Sequence, residues 1–141
     1  MDTFLKLPAN SPFTLKNLPY GIFSRRHASH KAIGVAIGDY VLDLSELERA
    51  GLFADSRGEF NQPSLNSFIR RGKAFWRMTR QKITELLSAH TPRLRNDQTL
   101  RDACLVQQKD VILYLPLEIG DYTDFYSSKE HATNIGMMFR D

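Results

Sequence analysis

One cysteine and no apolar run near the ~20 residues of a bilayer crossing set the first limits on this chain. Cys104 alone cannot close a disulfide within the chain. With no second thiol nearby it cannot anchor a zinc knuckle either, which leaves a small buried apolar side chain as the expectation. The start, "MDTFLKLPANSPF", has neither a basic stretch nor a continuous apolar core, so it does not read as a secretory signal, and a cytoplasmic location is expected. Repeats and low-complexity tracts are absent too. What is present, 42% hydrophobic and 25% charged over 141 residues, is ordinary globular usage, enough for one domain and the beginning of a second.

The formal charge of +3 conceals an asymmetry. Residues 1–116 carry 17 Lys and Arg against 11 Asp and Glu, whereas residues 117–141 carry 2 against 5. The shift, together with Pro116 interrupting an apolar run, suggests a module boundary there, with one domain at 1–116 and a second beginning at 117–141.

Local patterns predict several elements. "NLPYGIFS" reads as a short strand entered through Pro19 and Gly21. In "KAIGVAIGDYVLDL", Ile33, Val35 and Ile37 alternate with small residues and Gly38-Asp39 supplies a turn, which predicts a hairpin. Asp43 stands three residues before Glu46, the spacing of a reciprocal capping box, so a short helix "SELERA" should start there and end at Gly51. From Ser64 to His90 the apolar residues fall close to a 3.6-residue period, predicting an amphipathic helix loosened at Gly72. Its other side carries Arg70, Lys73, Arg77 and Arg80. A nucleic-acid face is one reading of that stripe, but a helix packed on a core needs a charged side facing water in any case. "TPRLRNDQ" reads as an exposed loop, "VILYLP" as a buried strand and "EIGDYTDFY" as a further strand.

The last twenty-one residues, "DYTDFYSSKEHATNIGMMFRD", crowd acids, tyrosines, serines and a histidine together. If the segment around Asp124 is extended, Tyr122, Asp124 and Tyr126 share one face. Ser127 followed by Glu130 predicts a helix start at Ser127, placing His131 in the first turn. Asp124, Tyr126 and His131 could then point into one space beside oriented backbone N–H groups, where anionic ligands are favoured. Bland readings stand beside this: caps for Ser127 and Glu130, a turn acid for Asp124, and a structural histidine bonded to a carbonyl for His131. The residues alone reach only an oxygen-rich cation site or an acid–base site.

The segment "IGDYTDFYSSKEHATNIGMMFR" resembles the signature of the fumarylacetoacetase family, and "NLPYGIFS" with "IGVAIGDYVLDL" resembles the start of the same proteins. The resemblance implies an α+β fold: a small SH3-like β-barrel domain with helices, followed by the truncated start of a mixed β-roll catalytic domain. It implies hydrolysis of a carbon–carbon bond in a β-diketone, 4-fumarylacetoacetate to fumarate and acetoacetate, in tyrosine and phenylalanine degradation. Asp124 would be a ligand of Ca²⁺ or Mg²⁺, His131 the general base, and Tyr126 and Arg140 the holders of the substrate carboxylate. Residue types suit those roles: a carboxylate is a hard ligand, an imidazole takes a proton near neutral pH, and a guanidinium forks onto a carboxylate. A homodimer is implied for the complete enzyme. The family's sequence continues past the position of Asp141, so the remaining cation ligands are expected downstream and the chain alone is expected to be inactive. No nucleic-acid or membrane partner is expected. The competing reading is a non-catalytic module for assembly or partner binding.

Overall fold

The computed structural model describes residues 2–123 and 125–140. Five strands, β1 (Tyr20–Arg25), β2 (Ala32–Ile37), β3 (Tyr40–Asp43), β4 (Leu105–Gln107) and β5 (Val111–Tyr114), form one antiparallel sheet in the order β4-β3-β2-β1-β5. Between β3 and β4 run α1 (Leu44–Arg49), α2 (Asn66–Arg70), α3 (Gly72–Leu87), α4 (Pro92–Arg95) and α5 (Gln98–Cys104). The last helix, α6 (Lys129–Phe139), follows β5. The class is α+β.

The sheet is strongly curled, and its connectivity requires this. β4 and β5 are the two edges, four strand spacings or roughly 19 Å apart in a flat sheet. Only the 3-10 turn Gln108–Asp110 joins them, and the path from Gln107 to Val111 reaches at most about 14 Å. That turn is fastened at both ends. Gln108 donates its N–H to the Asp39 carbonyl (2.8 Å) and its side-chain amide to the Gly38 carbonyl (2.9 Å), while Asp110 accepts from the Arg26 N–H (2.9 Å). Phe23, Ala32 and Val41 consequently pack with Val106 and Val111 from the two edges inside the curl. Gly34 lies there because a Cβ would come within 2.5 Å of Val41 Cγ1 and 2.8 Å of the Phe23 ring.

The main core lies on the sheet's other face. Ile33, Val35 and Ile37, all fully buried, meet Ile83, Leu86 and Leu87 of α3 there. The hairpin and its turn form as their alternation predicts, with Gly38 at φ 55°. α1 is capped by Asp43 and closed by Gly51 at φ 71°. The Gly51 N–H bonds to the Glu48 carbonyl and the Leu52 N–H to that of Leu47, the paired bonds of a left-handed helix stop. The capping box is one-sided, since Glu46 turns its carboxylate to Arg49 (2.7 Å). Gly72, at φ 80°, separates two helices instead of loosening one. The break leaves Ile69 exposed, while Phe68 and Phe75 still meet at 5.8 Å and Trp76 donates to the Phe68 carbonyl (2.9 Å).

Three sequence expectations are corrected. "TPRLRNDQ" is not a loop: Pro92 opens α4, Asp97 caps α5 through the Leu100 N–H (2.9 Å), and Leu94 is fully buried. "VILYLP" is not a buried strand, because β5 is an edge with Ile112 and Leu113 exposed. "EIGDYTDFY" forms no strand among the described residues. Cys104 is buried as expected, and burial pushes its thiol up to about 12. No helix among the described residues is long and apolar enough to cross a membrane.

Candidate active site

The chain leaves the curled sheet under constraint. Beyond β5 the Pro116 carbonyl accepts from the Leu65 N–H (2.7 Å). Asn66, opening α2, then clamps Glu118 twice, donating to its carbonyl (2.8 Å) and accepting from its N–H (3.1 Å). Past Glu118 the described residues are irregular and exposed until α6.

α6 begins one residue later than the S-x-x-E spacing suggests. The cap is Ser128, whose Oγ accepts from the His131 N–H (3.2 Å) and donates to Glu130 Oε2 (2.9 Å). Two neighbouring serines both carry a capping hydroxyl, and the one in extended conformation, φ −104° and ψ 132°, takes the role. Glu130 is held below the usual carboxylate range by its own backbone N–H and by the Ser128 hydroxyl. His131 falls in the first turn, as expected.

Tyr126 has φ 48°, a left-handed conformation that is rare for a bulky residue. That backbone turn takes Tyr126 out of the extended conformation expected for it. It stacks the Tyr126 ring on the His131 imidazole, with centroids 5.3 Å apart and planes inclined by 22°. The i, i+5 pairing crosses a helix start and matches neither strand nor helix spacing, so no periodicity could have shown it. Asp124 lies outside the described residues. Arg140 stands at the C-cap of α6, nine residues from His131, about 13 Å along the axis and half a turn around it. The structure therefore joins Tyr126 and His131 and holds Arg140 apart from them. Among the described residues no three His, Cys, Asp or Glu side chains gather closely enough to hold a metal ion.

The basic stripe is smaller than its sequence spacing suggested. Arg80 is spent on the protein's own backbone, donating to the Lys16 (3.0 Å) and Leu18 (3.3 Å) carbonyls, which leaves Arg70, Lys73 and Arg77 exposed.

A family model described as fumarylacetoacetase N-terminal matches residues 16–116, which hold the whole sheet and α1 to α5. The chain belongs to this family. Curated relatives extend the likeness through the terminal segment. The chain is 46% identical to the fumarylacetoacetase of Homo sapiens over 142 residues, 99% of this chain and 34% of that protein. The Caenorhabditis elegans fumarylacetoacetase is 46% identical over 145 residues and that of Arabidopsis thaliana 41% over 147, again covering 99% of this chain and 34% of each relative. This member of the fumarylacetoacetase N-terminal family thus spans about a third of the length of the curated relatives it matches. The likeness disfavours the nucleic-acid reading of the α3 stripe.

Proposed function

We propose that this chain forms the N-terminal part of a fumarylacetoacetase-type hydrolase, cleaving a carbon–carbon bond of 4-fumarylacetoacetate in tyrosine and phenylalanine degradation, in the cytoplasm and as a homodimer. The observation that carries the reading is the Tyr126–His131 stack inside the D-F-Y-S-S-x-x-H segment, in a chain whose barrel matches that family. The closing of five strands across a 3-10 turn supports the SH3-like description of the barrel, and the Asn66 clamp at Glu118 supports a passage into a second domain just after residue 116.

In this reading His131 is the general base. Its main-chain N–H is fixed on Ser128 Oγ and its ring lies against Tyr126, which limits the directions the imidazole nitrogens can take. An imidazole so placed can draw a proton from the water that attacks the substrate carbonyl. Tyr126 and Arg140 would hold the substrate carboxylate, the phenol by a hydrogen bond and the guanidinium by a fork. Their present separation requires the substrate or further structure to bring them together. Asp124 is proposed as one ligand of Ca²⁺ or Mg²⁺, which would stabilise negative charge on the diketone oxygens. The described residues do not complete such a site, since a hard cation takes six or more oxygens, and the chain by itself is expected to be inactive.

The test uses a protein that carries the remaining length of the relatives. His131→Gln should leave the circular dichroism spectrum and calorimetric cation affinity unchanged while lowering kcat about 10²–10⁴-fold. Asp124→Ala should weaken cation affinity first. Wild-type turnover in His131→Gln would remove the histidine from the chemistry and return it to a structural role.

A further inference from the structure

The β1–β2 connection, between Arg25 and Ala32, carries a dense run of cations. Its sequence, "RRHASHK" from Arg25 to Lys31, surrounds Ser29 with two arginines, two histidines and a lysine, without an acid. Among all serines and threonines of the chain, Ser29 is the only one preceded at the third position by a Lys or Arg, here Arg26, and it also has Lys31 two positions after it. Residues 26–30 are exposed. We propose that Ser29 is a phosphoacceptor for protein kinases whose acidic clefts select cations on both sides of the target serine.

The local structure suits such an acceptor. Ladder pairing of β1 with β2 ends at Phe23 and Ala32, so residues 26–31 can enter a cleft without opening a strand. The loop is held by the turn bond from the Ala28 N–H to the Arg25 carbonyl (2.9 Å), the Arg26 N–H bond to Asp110, and His30 Nε2 against Asn61 Oδ1 (2.6 Å). Arg26 points its guanidinium outward onto a single exposed carbonyl, that of Lys109 (Nε 3.2 Å, Nη2 3.0 Å), a neutral partner that a kinase carboxylate outcompetes through a charge-assisted bond. Lys31 rests on the Tyr114 ring, 4.0 Å from its centre, a second cation held at the loop surface. In the transfer, Ser29 Oγ bonds to the γ-phosphorus of Mg–ATP and its proton passes to the kinase's catalytic carboxylate. The bond from γ-phosphorus to the β-bridging oxygen breaks, and ADP leaves with the electron pair. The product carries a phosphate of charge about −1.5 to −2 in a loop that holds Arg26 and Lys31 and no acid.

The folded protein, Mg–ATP and a purified basophilic serine kinase, the catalytic subunit of cAMP-dependent protein kinase or protein kinase C, provide the test, read by tandem mass spectrometry. One phosphate should appear, on Ser29. Ser29→Ala should abolish it, Ser29→Thr should retain it, and Arg26→Ala should lower kcat/KM for labelling at least about tenfold with an unchanged circular dichroism spectrum. An acidophilic kinase should leave the chain unlabelled. Labelling at another residue, no labelling by either basophilic enzyme, equal labelling by the acidophilic one, or indifference to Arg26→Ala would each overturn the proposal.

Discussion

Replacing Asp43 should separate two roles that its carboxylate combines. Oδ1 accepts from the Ser45 N–H (3.0 Å), the Glu46 N–H (3.4 Å) and the Ser45 hydroxyl (2.6 Å), while Oδ2 faces Arg25 at 3.3 Å. Asp43→Ala removes a helix cap, about 1 kcal/mol, and leaves the buried Ser45 hydroxyl without its acceptor, about 1–3 kcal/mol. Arg25 adds less than about 1 kcal/mol, because its side chain is 41% exposed and keeps the Ala103 carbonyl at 2.5 Å. The expected loss is about 2–4 kcal/mol, or roughly a 10 °C fall in Tm for a chain of this size. Asp43→Asn keeps an oxygen for all three Oδ1 bonds and should lose only about 0.5–1 kcal/mol. Urea denaturation at constant m-value gives both numbers. Adding Ser45→Ala to Asp43→Ala should recover part of the loss, since removing both partners of a buried bond costs less than removing one. Equal losses for the alanine and asparagine variants, or additive losses in the double variant, would refute the assignment of the stabilisation to the cap.

Gly34→Ala should cost about 1–3 kcal/mol in the same assay, because the new methyl meets Val41 and the Phe23 ring, which is 2% exposed and cannot swing away; a loss below about 0.5 kcal/mol would mean that the curl relaxes. Burial would raise the Glu59 carboxyl, but the Arg57 N–H and the Arg71 guanidinium outweigh it and hold the group below its ordinary value. Its stabilisation is thus fully present above the ordinary carboxylate value and is lost as pH falls through the lowered one, so Glu59→Gln should flatten the acid limb of a stability-versus-pH curve; an unchanged limb would exclude the pair. Gly72→Ala, at φ 80° with open space around its Cβ, should cost about 1–2 kcal/mol of backbone strain and nothing in packing, measurable as a Tm shift that a Gly72→Asn variant partly restores.

Elements set by neighbouring residues were legible in the sequence, and those set by distant partners were not. The β2–β3 hairpin, its Gly38 turn, the Asp43 cap and the Gly51 stop each depend on residues within a few positions. "TPRLRNDQ" failed differently: proline, asparagine and aspartate mark loops and helix starts alike, and the burial of Leu94 selects the helix start. The apolar run at β5 cannot reveal whether both its faces are covered. Its place at the edge follows from pairing with β1, with Ile22 opposite Tyr114 across more than ninety residues. "EIGDYTDFY" has strand composition but needs a partner edge, and without one the described residues stay irregular.

The same division runs through the candidate site. Tyr126, Ser128, Glu130 and His131 are positioned by one another: the left-handed turn at Tyr126, the Ser128 cap and the ring stack are all contacts within six residues. Among the described residues the curled sheet and its helices guide the exit of the chain, through the Leu65 bond to Pro116 and the Asn66 clamp on Glu118, and no described residue of α6 is buried. Local contacts therefore set the Tyr126–His131 stack and the hydrogen bond of the His131 N–H. The proposed role for Arg140 requires the far end of α6 to be fixed by contacts beyond those among the described residues. Under the proposed assignment, fixing it sets how a substrate carboxylate is held and leaves the hydrogen bond at the His131 N–H unchanged. In a protein that carries the remaining length of the relatives, an Arg140 variant should accordingly raise KM before it lowers kcat, and a His131 variant should do the reverse.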